Sequence, residues 1–132
     1  MNFILWGSNN FTFSFVYDDD SPVEIDLLYL TFYDIDGPQY GTEEIHLYGI
    51  DSYIVEPSHP FIEIEFGNDW VNAVNNGGVS DEPNVNSLAD MTEKQKQVSV
   101  TGIWRNINHF KATLSVNAYA NSARFFIFAR PR

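Results

Sequence analysis

Leu28-Tyr29-Leu30-Thr31-Phe32-Tyr33-Asp34-Ile35-Asp36-Gly37-Pro38 starts as a strand and ends in a carboxylate-rich turn. Leu28, Leu30 and Phe32 recur at period two, the repeat of a pleated strand with one buried face. Gly37-Pro38 closes the run in a turn. Just upstream, Val23-Glu24-Ile25-Asp26-Leu27 alternates in the same way. The phase slips at Leu27-Leu28, where a β-bulge is expected.

The same period extends in both directions. Phe11, Phe13, Phe15 and Tyr17 share one face before Asp18-Asp19-Asp20-Ser21-Pro22 ends that strand. A short apolar strand at residues 2–6 precedes it, with Gly7-Ser8-Asn9-Asn10 read as the turn between them. Downstream, Ile45 and Leu47 face one way and His46 and Tyr48 the other. Tyr53-Ile54-Val55 is a short run. Ile62, Ile64 and Phe66 are expected to point inward, with Glu63 and Glu65 outward. Strands follow at Trp70 to Val74, at Val98 to Gly102, and at Phe110 to Ala118. Ala123 to Ala129 is apolar on both faces, as a centrally placed strand would be. Residues 75–86 are the longest turn-rich stretch. Ser87 to Gln97 is the one helix candidate, with Thr92-Glu93-Lys94-Gln95 placed as a capping box. With no βαβ unit and no repeat, these elements predict an all-β antiparallel β-sandwich of jelly-roll type with one short helix, a single domain over residues 1–132.

Composition narrows the partners. The 132 residues carry only seven Lys and Arg and a net charge of −11, which excludes a phosphate backbone as the default partner. The same balance argues against an anionic membrane surface and favours cations or a basic protein. No cysteine is present, so disulfides and thiolate metal sites are excluded. No apolar run reaches the roughly 20 residues of a membrane span. Met1-Asn2-Phe3-Ile4-Leu5-Trp6 is short and lacks the basic start of a signal peptide.

Four oxygen donors, Asp34, Asp36, Glu43 and Glu44, are expected near one rim and form the metal candidate. Hard oxygens of this kind suit calcium. The competing reading is a solvated acidic hairpin. Pro38 and Ile45 rule out an EF-hand loop. Asp18-Asp19-Asp20 is a second cluster, for which a solvated turn is the simpler reading. Glu63-Ile64-Glu65 invites comparison with jelly-roll glycosidases, whose paired carboxylates share a cleft. Their usual Glu-x-Asp-x-(x)-Glu run lacks its third acid here, since Gly67 and Asn68 stand in its place. His46, His59 and His109 share no metal-ligand spacing, and nucleotide and nucleophile-elbow motifs are missing. Trp6, Trp70 and Trp104 would stack on sugar rings if exposed and fill the core if not.

Phe13-x-Phe15 before an acidic turn, Leu30-x-Phe32-Tyr33-Asp34-Ile35-Asp36-Gly37, Glu44-x-x-x-x-Gly49 and Arg124-Phe125-Phe126-x-Phe128 resemble uncharacterised β-sandwich modules. Those modules occur in large algal-protist proteins and bacterial surface proteins. Their Asp-Asn-Pro turn is replaced here by Asp81-Glu82-Pro83-Asn84. The resemblance implies a non-catalytic, extracytosolic module. The resulting expectation is a domain that is not an enzyme and docks to a glycan or a neighbouring protein, steadied by calcium. A structural accessory subunit and a jelly-roll glycoside hydrolase are the alternatives. Nucleic acid and membrane insertion are not expected.

Overall fold

The computed structural model describes residues 2–5, 7–33, 35, 37, 42–58, 61–75, 91–117 and 124–129. Among them the strands are β1 (Asn2–Leu5), β2 (Gly7–Ser14), β3 (Ile25–Tyr33), β4 (Thr42–Tyr48), β5 (Ser52–Ile54), β6 (Ile62–Phe66), β7 (Trp70–Asn75), β8 (Val100–Ile107), β9 (His109–Asn117) and β10 (Arg124–Ala129). One helical turn, α1 (Glu93–Lys96), precedes β8. Two five-stranded sheets result, ordered β1-β10-β3-β8-β5 and β2-β9-β4-β7-β6. Every pairing is antiparallel. The pairs β1/β10, β2/β9, β3/β8 and β4/β7 alternate between the sheets, as when one long hairpin is wound around itself. That winding is a jelly roll, and the fold is the expected all-β sandwich with a short helix.

Alternation along the strands fills the space between the sheets. Leu28, Leu30, Phe32, Val100 and Trp104 come from one sheet; Ile45, Leu47, Val71, Phe110 and Leu114 come from the other, all buried. Each such side chain contributes about 1.5–3 kcal/mol of transfer free energy. Trp104 sits centrally, its ring 4.7 Å from that of Phe110 and its Nε1 donating to the Tyr48 carbonyl at 2.9 Å. Phe13 stacks on Phe110 at 4.8 Å, and Phe11 and Phe15 pack partly buried beside it.

Three local expectations fail. Gly7-Ser8-Asn9-Asn10 is not a turn but the first half of β2. Gly7, at φ +67°, carries the chain from one sheet to the other, and Ser8 and Asn10 face outward while Asn9 lies on the inward side opposite Leu114. Ser8 there accepts from Ser115 at 3.0 Å, and Asn10 from Thr113 at 2.7 Å. The bulge at Leu27-Leu28 is not present. Leu27 faces Arg105, Leu28 faces Trp104 and Leu30 faces Gly102, so no residue is inserted. Leu27 and Tyr29 simply occupy the other face. Phe66, expected inward, is 63% exposed, because it ends the edge strand β6.

The helix is one turn within the predicted span; residues 87–90 lie outside the described set. Its capping box is formed: Thr92 Oγ1 accepts from the Gln95 N–H at 3.2 Å, and Gln95 Oε1 accepts from the Thr92 N–H at 2.9 Å. No helix among the described residues is long and apolar enough to cross a membrane.

Candidate functional site

Asp34 and Asp36, half of the expected calcium set, lie outside the described residues, as do Trp6, His59 and Asp81 to Asn84. The other half is split between two faces. Successive strand residues project to opposite sides. Glu43 therefore turns into the sandwich, 1% exposed and opposite Val116, while Glu44 stands on the outer face. Asn75, the inward residue beside Glu43 on β7, donates from Nδ2 to the Ile35 carbonyl at 2.9 Å. Among the described residues no three His, Asp or Glu side chains gather to hold a metal ion.

Asp18-Asp19-Asp20 forms an exposed reverse turn closed by Asp20 N–H to the Tyr17 carbonyl, 2.9 Å. Asp19 accepts from both the hydroxyl and the N–H of Ser21, which hold its carboxyl below the usual range, the hydroxyl most. The arrangement is that of a self-sufficient surface turn.

The richest chemistry lies on the outer face of the β2-β9-β4-β7-β6 sheet, the one facing away from β3 and β8. Tyr48 and Trp70 stand directly opposite each other on β4 and β7, and His46 opposite Asn72. The His46 ring stacks on Trp70 at 5.1 Å and packs against Tyr48 at 4.4 Å. Tyr48 is 43% exposed and presents this cluster to solvent. Trp70 leans across Gly67, where a Cβ would fall 2.6 Å from Trp70 Cε2. Glycine is what lets the indole lie there.

Polar bonds lock the cluster and set its proton polarity. Asn72 Nδ2 donates to Glu44 Oε1 at 2.9 Å, which leaves Asn72 Oδ1 toward His46 Nδ1 at 3.1 Å. Nδ1 must carry the proton, so Nε2 of the neutral ring is an acceptor. Thr113 gives its hydroxyl proton to Asn10 at 2.7 Å, so Tyr48 Oη donates to Thr113 Oγ1 at 3.1 Å and keeps its lone pairs. Glu63 and Glu65 extend this face on β6, both exposed. The face therefore offers fixed aromatics and many acceptors, with the Lys111 ammonium group opposite Tyr48 on β9 as a donor. It suits a ligand with an apolar surface and many O–H donors.

Reading the sequence placed His46 and Tyr48 on one side of β4 but missed the cluster. Its signal was the pair of alternating runs Glu44-x-His46-x-Tyr48 and Trp70-x-Asn72, whose pairing only the fold supplies. On the opposite sheet, a groove of about 220 Å³ lined by Thr31, Thr101, Met91 and Lys96 lies under α1. It is smaller than the roughly 300–1,000 Å³ of typical ligand pockets. No family model, curated protein or solved structure matches the chain.

Proposed function

We propose that the domain is a non-catalytic carbohydrate-binding module whose site is the outer face of the β2-β9-β4-β7-β6 sheet. The observation that carries this reading is the Tyr48–His46–Trp70 cluster set among fixed acceptors. A pyranose ring has an apolar C–H face that packs on an aromatic ring, and hydroxyls at its rim that donate hydrogen bonds. Side chains already held by Asn72, Thr113 and Asn10 lose little freedom on binding. Glu44, Glu63 and Glu65 outnumber Lys111, which stands opposite Tyr48 on the same face, and with the net charge of −11 they favour a neutral glycan over uronate and sulfated chains.

A glycan array followed by calorimetry tests this. Tyr48→Ala and Trp70→Ala are each expected to weaken binding roughly tenfold or more, about 1.4 kcal/mol. Absence of any glycan hit, or variants that bind like the wild type, refutes the reading. Polysaccharide turnover abolished by Glu63→Gln or Glu65→Gln would replace it with a hydrolase.

A further inference from the structure

We infer that the groove under α1, on the outer face of the β1-β10-β3-β8-β5 sheet, is a binding site for a small zwitterion, an α-amino acid with a short apolar side chain. Its floor is a row in register across three strands: Ile54 on β5, Thr101 on β8 and Thr31 on β3. Thr31 is 7% exposed, and its Oγ1 lies 2.8 Å from Oγ1 of Thr101. Each hydroxyl has one proton to give. One of the two is spent within the pair. Among the described residues the other meets no acceptor, so it is offered to whatever fills the groove. Ser99 is fixed in the opposite sense. Its hydroxyl donates to the Lys96 carbonyl at 2.8 Å, which leaves only lone pairs for a ligand.

The charged lining matches a ligand with two opposite ends. Lys96 and Glu56, both half-buried, line the same groove. Lys96 Nζ bonds Glu93 at 3.3 Å and keeps two of its three N–H donors. Glu56 has no ion pair among the described residues. A carboxylate is therefore received by the Lys96 ammonium and the spare threonine hydroxyl, and an ammonium by Glu56 and Ser99 Oγ. A simple amine or a simple carboxylate would satisfy one end and desolvate the other charge without a partner, a cost the zwitterion avoids. Met91 and Ile54 supply the apolar remainder of the lining. The volume of about 220 Å³ equals that of about seven waters at roughly 30 Å³ each, so the ligand has the size of valine. Either end of a peptide carries only one of the two charges, which leaves the free amino acid as the occupant.

The whole chain has two methionines, so labelling the methionine methyls with carbon-13 gives an NMR spectrum simple enough to follow Met91, assigned with Met91→Leu. L-Valine is the probe and is expected to shift the Met91 signal along a saturable curve. Isovalerate, which lacks the ammonium, and isobutylamine, which lacks the carboxylate, should each bind at least roughly tenfold more weakly. Glu56→Gln and Lys96→Gln, both at partly exposed positions, should each weaken valine binding roughly tenfold or more. In Glu56→Gln valine should also lose its advantage over isovalerate. No saturable shift with valine overturns the inference. Isovalerate or isobutylamine binding as tightly as valine, or valine affinity unchanged in either variant, also overturns it. The groove and the glycan face lie on opposite sheets, so neither reading depends on the other.

Discussion

Replacing Gly102 by alanine sets a methyl carbon 2.5 Å from Trp104 Cη2, 2.6 Å from Cζ3 and 2.9 Å from Leu47 Cδ1. Carbon pairs rest at about 3.5–4.0 Å, so the ring must retreat by roughly an ångström. It has nowhere to go. Trp104 is 1% exposed, tied through Nε1 to the Tyr48 carbonyl and packed on Phe110. Overpacking of this kind costs about 1–3 kcal/mol. Alanine returns about 0.4–1 kcal/mol by restricting the unfolded chain. The net loss is about 1–2 kcal/mol, a fall of roughly 4–8 °C in Tm for a chain of this size. The matched control is Gly67→Ala, whose new Cβ meets the Trp70 ring. That ring lies on the surface and can swing out, so stability should change by less than about 1 kcal/mol. The indole nevertheless leaves His46, and glycan affinity should fall with it. Thermal melts and calorimetry on both variants decide the matter. An unchanged Tm in Gly102→Ala, or a larger loss in Gly67→Ala, would refute this account of how the two indoles are held.

Thr92→Ala removes the oxygen that caps α1 and should cost about 1 kcal/mol in urea unfolding. Asp19 has a folded pKa below its ordinary value, so the stability from its Ser21 bonds is present at neutral pH. That stability is lost as pH falls from about 3.9 through the folded value. In Ser21→Ala the carboxyl should titrate closer to its ordinary value, read by NMR.

How far the sequence could be read follows from what its patterns encode. Period two names the face a side chain takes, and it correctly placed Leu28, Leu30, Phe32, Ile45, Leu47 and Leu114 in the core. It does not name the neighbouring strand. Glu43 and Glu44 were therefore drawn into one donor set because they are adjacent in sequence, although adjacency in a strand separates them by the thickness of the sheet. The reverse holds for Tyr48 and Trp70, far apart in the chain yet directly opposed by the β4/β7 register. Polarity misled at Ser8 and Asn10, where an outward-facing strand edge and a turn have the same composition. Edges misled at Phe66, since an inward direction buries a ring only where another strand lies over it. The proposed glycan face comes from this same gap between direction and neighbour. It needs β4 beside β7. That is a property of sheet order, which in a jelly roll is fixed by how the paired strands wind across the whole chain rather than by any local run of residues.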